Sequence, residues 1–123
     1  MKVLIVDDSR AMRAMLRKIM SELGFVVIEA GNGVEALEQL AGNPKLDLAL
    51  VDWNMPLMDG LEFVKALRSE RANAEIKVMM VTAENDMAKI AHALMVGADE
   101  YAMKPLTRDV IVSKLELLGL ETV

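Results

Sequence analysis

The sequence has no cysteine, only 3% aromatic residues and no long apolar run. Without cysteine the chain cannot form disulfides, use a thiol nucleophile or bind zinc through thiolates. The first apolar run, residues 3–6, stops at Asp7 and is much shorter than a signal peptide or a membrane span requires. We therefore expect a cytoplasmic protein whose core is built from aliphatic side chains.

Net positive charge is also missing, since 19 Asp and Glu outnumber 14 Lys and Arg and the formal net charge is −5. An acidic chain is repelled by nucleic-acid phosphates and by anionic lipids, so we expect neither nucleic acid nor membrane as a partner. The 123 residues suffice for one domain, residues 1–123, and are too few for a catalytic domain joined to a separate output domain.

Short apolar runs alternate with stretches of helical periodicity, which predicts five βα units. The runs cover residues 3–6, 25–29, 46–51, 76–81 and, more weakly, 100–103. Helices are expected after Ser9 up to Gly24 and near 33–42, 59–69, 85–96 and 107–118. Strand centres that are apolar on both faces favour an α/β, doubly wound, flavodoxin-like fold with a five-stranded parallel sheet. The strand order 2-1-3-4-5 is adopted from known folds of this class.

Polar residues follow the predicted strands at the edge where such sheets bind ligands. Asp7 and Asp8 end the first strand, Asp52 the third and Thr82 the fourth, while Lys104 follows the fifth. Adjacent carboxylates repel each other unless a cation lies between them, and Mg²⁺ prefers such oxygen ligands. An ionised Asp52 could then attack phosphorus, with Mg²⁺, Lys104 and Thr82 neutralising the transferred charge.

Simpler roles exist for each of these residues. Asp7, Asp8 and Thr82 could cap the helices that follow them, and Lys104 could be a solvated surface charge. Capping needs only one acid, however, and the co-occurrence of all five residues at strand ends favours a functional site.

The stretches "IVDDS", "LVDWNMPLMDG", "VTAEND" and "YAMKPLT" resemble the receiver domain of bacterial two-component response regulators over essentially the whole chain. "DWNMP" and Tyr101 are similar to single-domain chemotaxis regulators, whereas Leu106 stands where many members of the family have Phe. The resemblance implies a phosphorylation-dependent signalling switch, which catalyses only its own phosphotransfer and slow dephosphorylation and is not otherwise an enzyme.

The resemblance also implies roles for individual residues. Asp52 would accept a phosphoryl group from a histidine kinase or phosphotransfer protein, with Mg²⁺ held by Asp8, Asp52 and the main-chain carbonyl of Asn54. Asp7 would act largely through a metal-bound water.

Thr82 and Lys104 would contact the phosphoryl oxygens, and Tyr101 would turn inward as Thr82 moves. Asn54 and Glu84 would tune the lifetime of the phosphoryl group, and the Lys104–Pro105 peptide bond would be cis.

Two surfaces are candidates for partner binding. Arg10, Arg13 and Arg17 form a basic stripe on the first helix, either a kinase-docking surface or simply a solvated face. The predicted output surface spans the fourth helix, the fifth strand and the fifth helix, with Ala88, His92, Met95, Tyr101 and Val112. It would bind an output partner, for example a flagellar motor switch or a relay component, or serve self-association. We expect a monomer before phosphorylation.

On the fourth helix the periodicity predicts an apolar core stripe of Met87, Ile90, Ala91 and Leu94, with His92 exposed and without a catalytic role.

The same fold also supports other functions. "DDSR" after the first strand would repel a flavin phosphate. A haloacid-dehalogenase-like Mg²⁺ phosphatase also uses an Asp nucleophile but requires Asp-x-Asp, whereas this chain has Asp52-Trp53-Asn54. A receiver domain excised from a larger regulator is the other alternative, although Met1 leads directly into the first strand and favours a stand-alone protein.

Overall fold

Strands and helices alternate along the chain in a computed structural model that describes residues 1–43, 45–83, 85 and 87–122. The strands are β1 (Lys2–Val6), β2 (Val26–Ala30), β3 (Leu48–Asp52), β4 (Lys77–Thr82) and β5 (Glu100–Met103). The helices are α1 (Arg10–Glu22), α2 (Gly33–Gly42), α3 (Gly60–Arg68), α4 (Met87–Val96) and α5 (Arg108–Leu117), with a 3₁₀ turn at Arg71–Asn73.

The five strands form one parallel sheet in the order β2-β1-β3-β4-β5, so the predicted fold class and strand order are confirmed. β1 pairs with β2 on one side and with β3 on the other, which puts the reversal of strand order between β1 and β3. In doubly wound sheets the ligand crevice lies at this reversal, beyond the carboxyl ends of the strands.

Alternating residues of each strand bury their side chains in two separate cores. One face of the sheet packs under α2, α3 and α4, with Phe63 and Leu67 fully buried there. The other face packs under α1 and α5, with Leu16 and Ile111 buried. Because both faces are covered, the strand centres need apolar residues, which the sequence supplies except at Glu29 of β2.

Side chains at the helix N-termini fix where four of the helices begin. Ser9, Asn32, Asp59 and Thr107 each accept a hydrogen bond from the backbone N–H three residues later, and Asp59 forms a full capping box with Glu62. Among the described residues, no helix combines the length and apolar character needed to cross a bilayer.

The buried face of α4 differs from the predicted stripe. Ile90 and Ala93 are buried, whereas Met87 is 65% exposed and Ala91 and Leu94 are exposed as well. The helix is apolar on several faces, so its periodicity did not select one. The small Ala93 side chain takes part in the core that holds the neighbouring Ala98. His92 is exposed, as expected.

Candidate functional site

The carboxyl ends of four strands bring the predicted site residues to one edge of the sheet. Asp7 follows β1, Asp52 and Thr82 are the last residues of β3 and β4, and Lys104 follows β5. Backbone hydrogen bonds continue the pairing past the strand ends, from Asp7 N–H to the Ala30 carbonyl (3.1 Å) and from Lys104 N–H to the Thr82 carbonyl (2.8 Å). The hydrogen-bonded pairing of the sheet therefore extends to the rim of the site.

Three carboxylates meet at this edge. Asp7, Asp8 and Asp52 each offer an oxygen within 4.8 Å of the other two. Asp7 and Asp52 are only 1% and 6% exposed, whereas Asp8 is exposed to solvent. The cluster thus has two buried acids at its base and one at its mouth, so a small cation could enter from solvent on the side of Asp8.

Lys104 supplies positive charge to the two buried acids. Its Nζ donates a hydrogen bond to Asp52 Oδ1 at 3.1 Å and lies 3.8 Å from Asp7 Oδ2. One ammonium compensates only part of the charge of three carboxylates. The Lys104–Pro105 peptide bond is cis, the conformation that the resemblance implied.

The pKa of Asp52 is raised by its surroundings in the site. Burial raises the pKa of its carboxyl group, and the negative charge of Asp7 raises it further, with a smaller contribution from Asp8. The hydrogen bond and the charge of Lys104 act in the opposite direction without cancelling the rise in the pKa. An added cation at this position would relieve the repulsion and keep Asp52 ionised.

The oxygen atoms of Asp7 fit a hard metal ion. Asp7 Oδ1 accepts a hydrogen bond from Ser9 N–H at 2.8 Å, but the buried Oδ2 accepts none from any described residue. A buried carboxylate oxygen without a donor costs stability unless a cation or ordered water meets it. Together with the oxygens of Asp8 and Asp52, it forms the all-oxygen donor set that Mg²⁺ prefers.

Thr82, Asn54 and Tyr101, the remaining described residues of the predicted site, differ in burial. Thr82 is buried at the end of β4, and Asn54 is exposed two residues after Asp52. Tyr101 is half-buried against the core, with Lys114 Nζ 4.8 Å from the centre of its ring. Glu84, the second residue expected to tune dephosphorylation, lies outside the described residues.

The basic stripe on α1 has more internal partners than its sequence indicated. Arg13 Nε is 3.3 Å from Glu29 Oε1, and Arg17 Nε is 2.7 Å from Glu29 Oε2. Arg13 also donates from Nη1 to the main-chain carbonyl of Asp7 at 2.6 Å. Arg10 is exposed. Two of the three guanidinium groups therefore help to hold α1 against β2.

The residues of the predicted output surface differ in exposure. Ala88, His92 and Met95 are exposed on α4, and Met95 is 85% exposed. Tyr101 and Val112 are half-buried. Among these residues, those on α4 are therefore more accessible than Val112 on α5.

Two features of the loop after Asp52 were missed in the sequence. A Cβ atom on Gly60 would lie 2.3 Å from the Asp52 carbonyl oxygen, so any other residue there would force a shift of the structure. Leu57 has a φ of 67° and is 83% exposed, an unfavourable backbone conformation for a side chain of this size. The Asp59-Gly60 pair is a signal that could have indicated the first feature, and nothing in the sequence indicates the second.

Comparisons with known proteins agree with this fold. The family model described as the response regulator receiver domain matches residues 3–116. The chain is 43% identical over 119 residues to chemotaxis protein CheY1 of Helicobacter pylori, covering 96% of each chain. It is similar to the structure of CheY4 of Vibrio cholerae, with a TM-score of 0.88, 34% identity and 94% and 96% of the two chains covered. It is also similar to a chain in the CheX-CheY-BeF3-Mg²⁺ complex of Borrelia burgdorferi, with a TM-score of 0.90, 29% identity and 98% and 90% covered.

Proposed function

This chain belongs to the response regulator receiver domain family, and from that membership we propose that it is a signalling switch controlled by phosphorylation of Asp52. The observation that carries the proposal is the contact of Lys104 Nζ with Asp52 Oδ1, at 3.1 Å, inside a cluster of three carboxylates. We further propose that residues 1–123 act as one cytoplasmic receiver unit that is monomeric before phosphorylation.

In the proposed reaction Asp52 is the nucleophile. A carboxylate oxygen of Asp52 attacks the phosphorus of a phosphohistidine on a histidine kinase or phosphotransfer protein. The P–N bond breaks, its electron pair stays on the imidazole, which takes a proton from solvent, and an aspartyl phosphate forms. The Lys104 ammonium and the Thr82 hydroxyl stabilise the charge on the phosphoryl oxygens during this step.

Mg²⁺ is the proposed cofactor, held by Asp8, Asp52 and the Asn54 main-chain carbonyl, with Asp7 acting through a metal-bound water. When bound, it supplies positive charge that offsets the carboxylates and the incoming phosphoryl group. The orphaned Asp7 Oδ2 and the raised pKa of Asp52 support a cation here. The similar Borrelia burgdorferi chain, whose complex includes BeF3 and Mg²⁺, supports it independently.

The proposed output is a change of the surface formed by α4, β5 and α5. Thr82 moves towards the phosphoryl group and Tyr101 turns inward, which biases an existing equilibrium between two arrangements. The partner recognises Ala88, His92, Met95, Tyr101 and Val112 and is a flagellar motor switch protein or a relay component. Asn54 and Glu84 set the rate of the intrinsic hydrolysis that ends the signal.

We also propose that the kinase docks beside the acidic site on the basic stripe of Arg10, Arg13 and Arg17. Glu29 pairs with Arg13 and Arg17. Arg10 is exposed and has no ion pair with any described residue, so its charge is the most accessible of the three. Charge reversal of Arg10 and Arg17 should therefore raise the KM for the phosphorylated kinase without changing phosphorylation by acetyl phosphate. Equal KM values would refute the docking role.

The proposed function is tested with Trp53, the single tryptophan, which adjoins Asp52. Mg²⁺ should change its fluorescence saturably, and acetyl phosphate should then cause a second change and a phosphoryl adduct in the intact mass. Asp52→Asn should give neither the second change nor the adduct.

Absence of an adduct in the unsubstituted protein would refute the switch. Steady turnover of p-nitrophenyl phosphate would instead favour the phosphatase alternative.

A further inference from the structure

Arg13 joins three parts of the structure that meet beside the acidic cluster. It lies on α1, its Nη1 donates to the Asp7 carbonyl at 2.6 Å, and its Nε pairs with Glu29 of β2 at 3.3 Å. The side chain is only 19% exposed, so both contacts are partly shielded from water. A hydrogen bond from a guanidinium at this distance is of the strong, charge-assisted kind.

The contacts of Asp7 show what this tether could do. Its N–H donates to the Ala30 carbonyl at 3.1 Å, its carbonyl accepts from Arg13, and its Oδ1 accepts from Ser9 N–H at 2.8 Å. The polar atom that remains without a hydrogen bond among the described residues is Oδ2, which lies 3.8 Å from Lys104 Nζ in the crevice. The backbone of Asp7 is thus fixed from both sides while one carboxylate oxygen stays available.

We propose that Arg13, oriented by Glu29, is a positioning residue for divalent-cation binding. By holding the Asp7 carbonyl it fixes the segment that carries Asp7 and Asp8, and so keeps their carboxylates at the spacing a cation requires. Residues that orient metal ligands commonly change metal affinity about 10–100-fold when they are removed. The inference rests on the proposed Mg²⁺ site and gives Arg13 a role in addition to the proposed kinase docking.

The sign of the effect separates positioning from simple electrostatics. A guanidinium near a cation site repels the cation, so removal of its charge alone should strengthen Mg²⁺ binding. Removal of the tether should instead weaken Mg²⁺ binding, because Asp7 and Asp8 lose their fixed spacing. A weaker affinity in a variant that has lost a positive charge therefore has no electrostatic explanation.

Arg17 offers a matched control. It is an arginine on the same helix that pairs with the same Glu29, at 2.7 Å, and in the described part of the chain it has no hydrogen bond to Asp7. Arg13→Met and Arg17→Met remove the same charge and keep a long apolar stem. Their comparison isolates the contact with the Asp7 carbonyl.

The experiment measures the Mg²⁺ dissociation constant of each full-length variant from Trp53 fluorescence at constant ionic strength. We expect Arg13→Met to weaken Mg²⁺ binding by about 10-fold or more, and Arg17→Met to leave it unchanged or slightly tighter. Arg13→Lys keeps the charge but loses the planar fork that reaches two acceptors at once, so it should weaken binding to an intermediate degree. The urea unfolding midpoint of each variant verifies that it is folded. If Arg13→Met is unfolded, the Mg²⁺ affinity of Arg13→Lys tests the inference instead.

Unchanged or tighter Mg²⁺ binding in a folded Arg13→Met or Arg13→Lys protein overturns the inference and leaves the proposed switch intact. Equal weakening by Arg13→Met and Arg17→Met also overturns it, because the Asp7 contact would then be irrelevant. If the unsubstituted protein binds no Mg²⁺, the proposed metal site itself fails, and the inference fails with it.

Discussion

Replacing Gly60 with alanine should slow the phosphorylation of Asp52 while the protein stays folded. Gly60 is the first residue of α3, and its φ lies outside the left-handed region, so alanine suits its backbone conformation. The obstacle is steric, because the new Cβ would lie 2.3 Å from the Asp52 carbonyl oxygen and 3.1 Å from its carbonyl carbon. Met80 Cε, at 3.0 Å, is the end of a flexible side chain that can move aside.

The magnitude follows from that distance. A methyl group and a carbonyl oxygen need about 1 Å more separation, and such overpacking costs about 1–3 kcal/mol of unfolding free energy. Alanine in a helix is more favourable than glycine by about 0.5–1 kcal/mol, so the net loss of stability is about 0–2.5 kcal/mol. A displacement of about 1 Å at a reacting group can cost about 100-fold in rate. We therefore expect the rate of Asp52 phosphorylation to fall at least about 10-fold while the protein stays folded.

The assay is the rate of the Trp53 fluorescence change after mixing with acetyl phosphate and Mg²⁺, with urea unfolding of the same samples. Gly42→Ala is the matched control, since Gly42 is also helical and its Cβ would meet nothing within 4 Å. That variant should react at the normal rate and be slightly more stable. If Gly60→Ala reacts as fast as Gly42→Ala, the close approach of Gly60 does not position Asp52.

Three further predictions concern stability. With metal removed by EDTA, Asp52→Asn should be more stable to urea than the parent at neutral pH. The pKa of Asp52 is higher in the folded than in the unfolded state, so its ionisation destabilises the fold increasingly as the pH rises from the unfolded-state pKa through the folded-state pKa. Saturating Mg²⁺ should reduce or reverse the difference in stability between the variant and the parent. An equal or lower stability would contradict the pKa argument. Arg68→Ala should lower the free energy of unfolding by about 3 kcal/mol, because the Arg68 guanidinium donates to four carbonyls and to Asp99. Arg71→Ala, an exposed control, should lower it by less than about 0.5 kcal/mol in the same assay. A loss of stability no larger than that of the control would show that these hydrogen bonds make no net contribution to the free energy of unfolding. Leu57→Gly should raise the free energy of unfolding by about 1 kcal/mol, because glycine adopts a positive φ without strain. A thermal midpoint below that of the parent would show that Leu57 is not strained.

The fold could be predicted from the sequence where local and global signals agree. The strand centres are apolar except for Glu29 of β2, and Ser9 and Gly24 mark the ends of α1 in the sequence as they do in the structure. The strand-end residues Asp7, Asp52 and Thr82 follow directly, because parallel strands bring their carboxyl ends to one edge. The strand order itself needed knowledge of related folds.

The remainder depends on contacts between residues distant in sequence. The buried face of α4 could not be predicted, because several of its faces are apolar and only packing selects Ile90 and Ala93. The hydrogen bond of Arg13 to Asp7 requires the position of α1 over the sheet, which no periodicity gives. From the sequence alone the basic stripe could be a kinase-docking surface or a solvated face, and the pairing of Glu29 with two of its residues could not be predicted.

The balance of charge at the acidic edge explains why phosphorylation, rather than metal binding, should operate the proposed switch. Lys104 offsets one of three carboxylate charges, and a divalent cation would offset the other two. Phosphorylation replaces the single charge of Asp52 with a phosphoryl group of nearly two, so a negative surplus returns. Further donors must come from the chain itself, and the Thr82 hydroxyl stands at the end of the adjacent strand. Because the Thr82 carbonyl accepts from Lys104 N–H at 2.8 Å, a shift of Thr82 would act directly on Lys104, which follows β5 and lies three residues after Tyr101. The same hydrogen bond that completes the rim of the site thus connects it to the surface where a partner would bind.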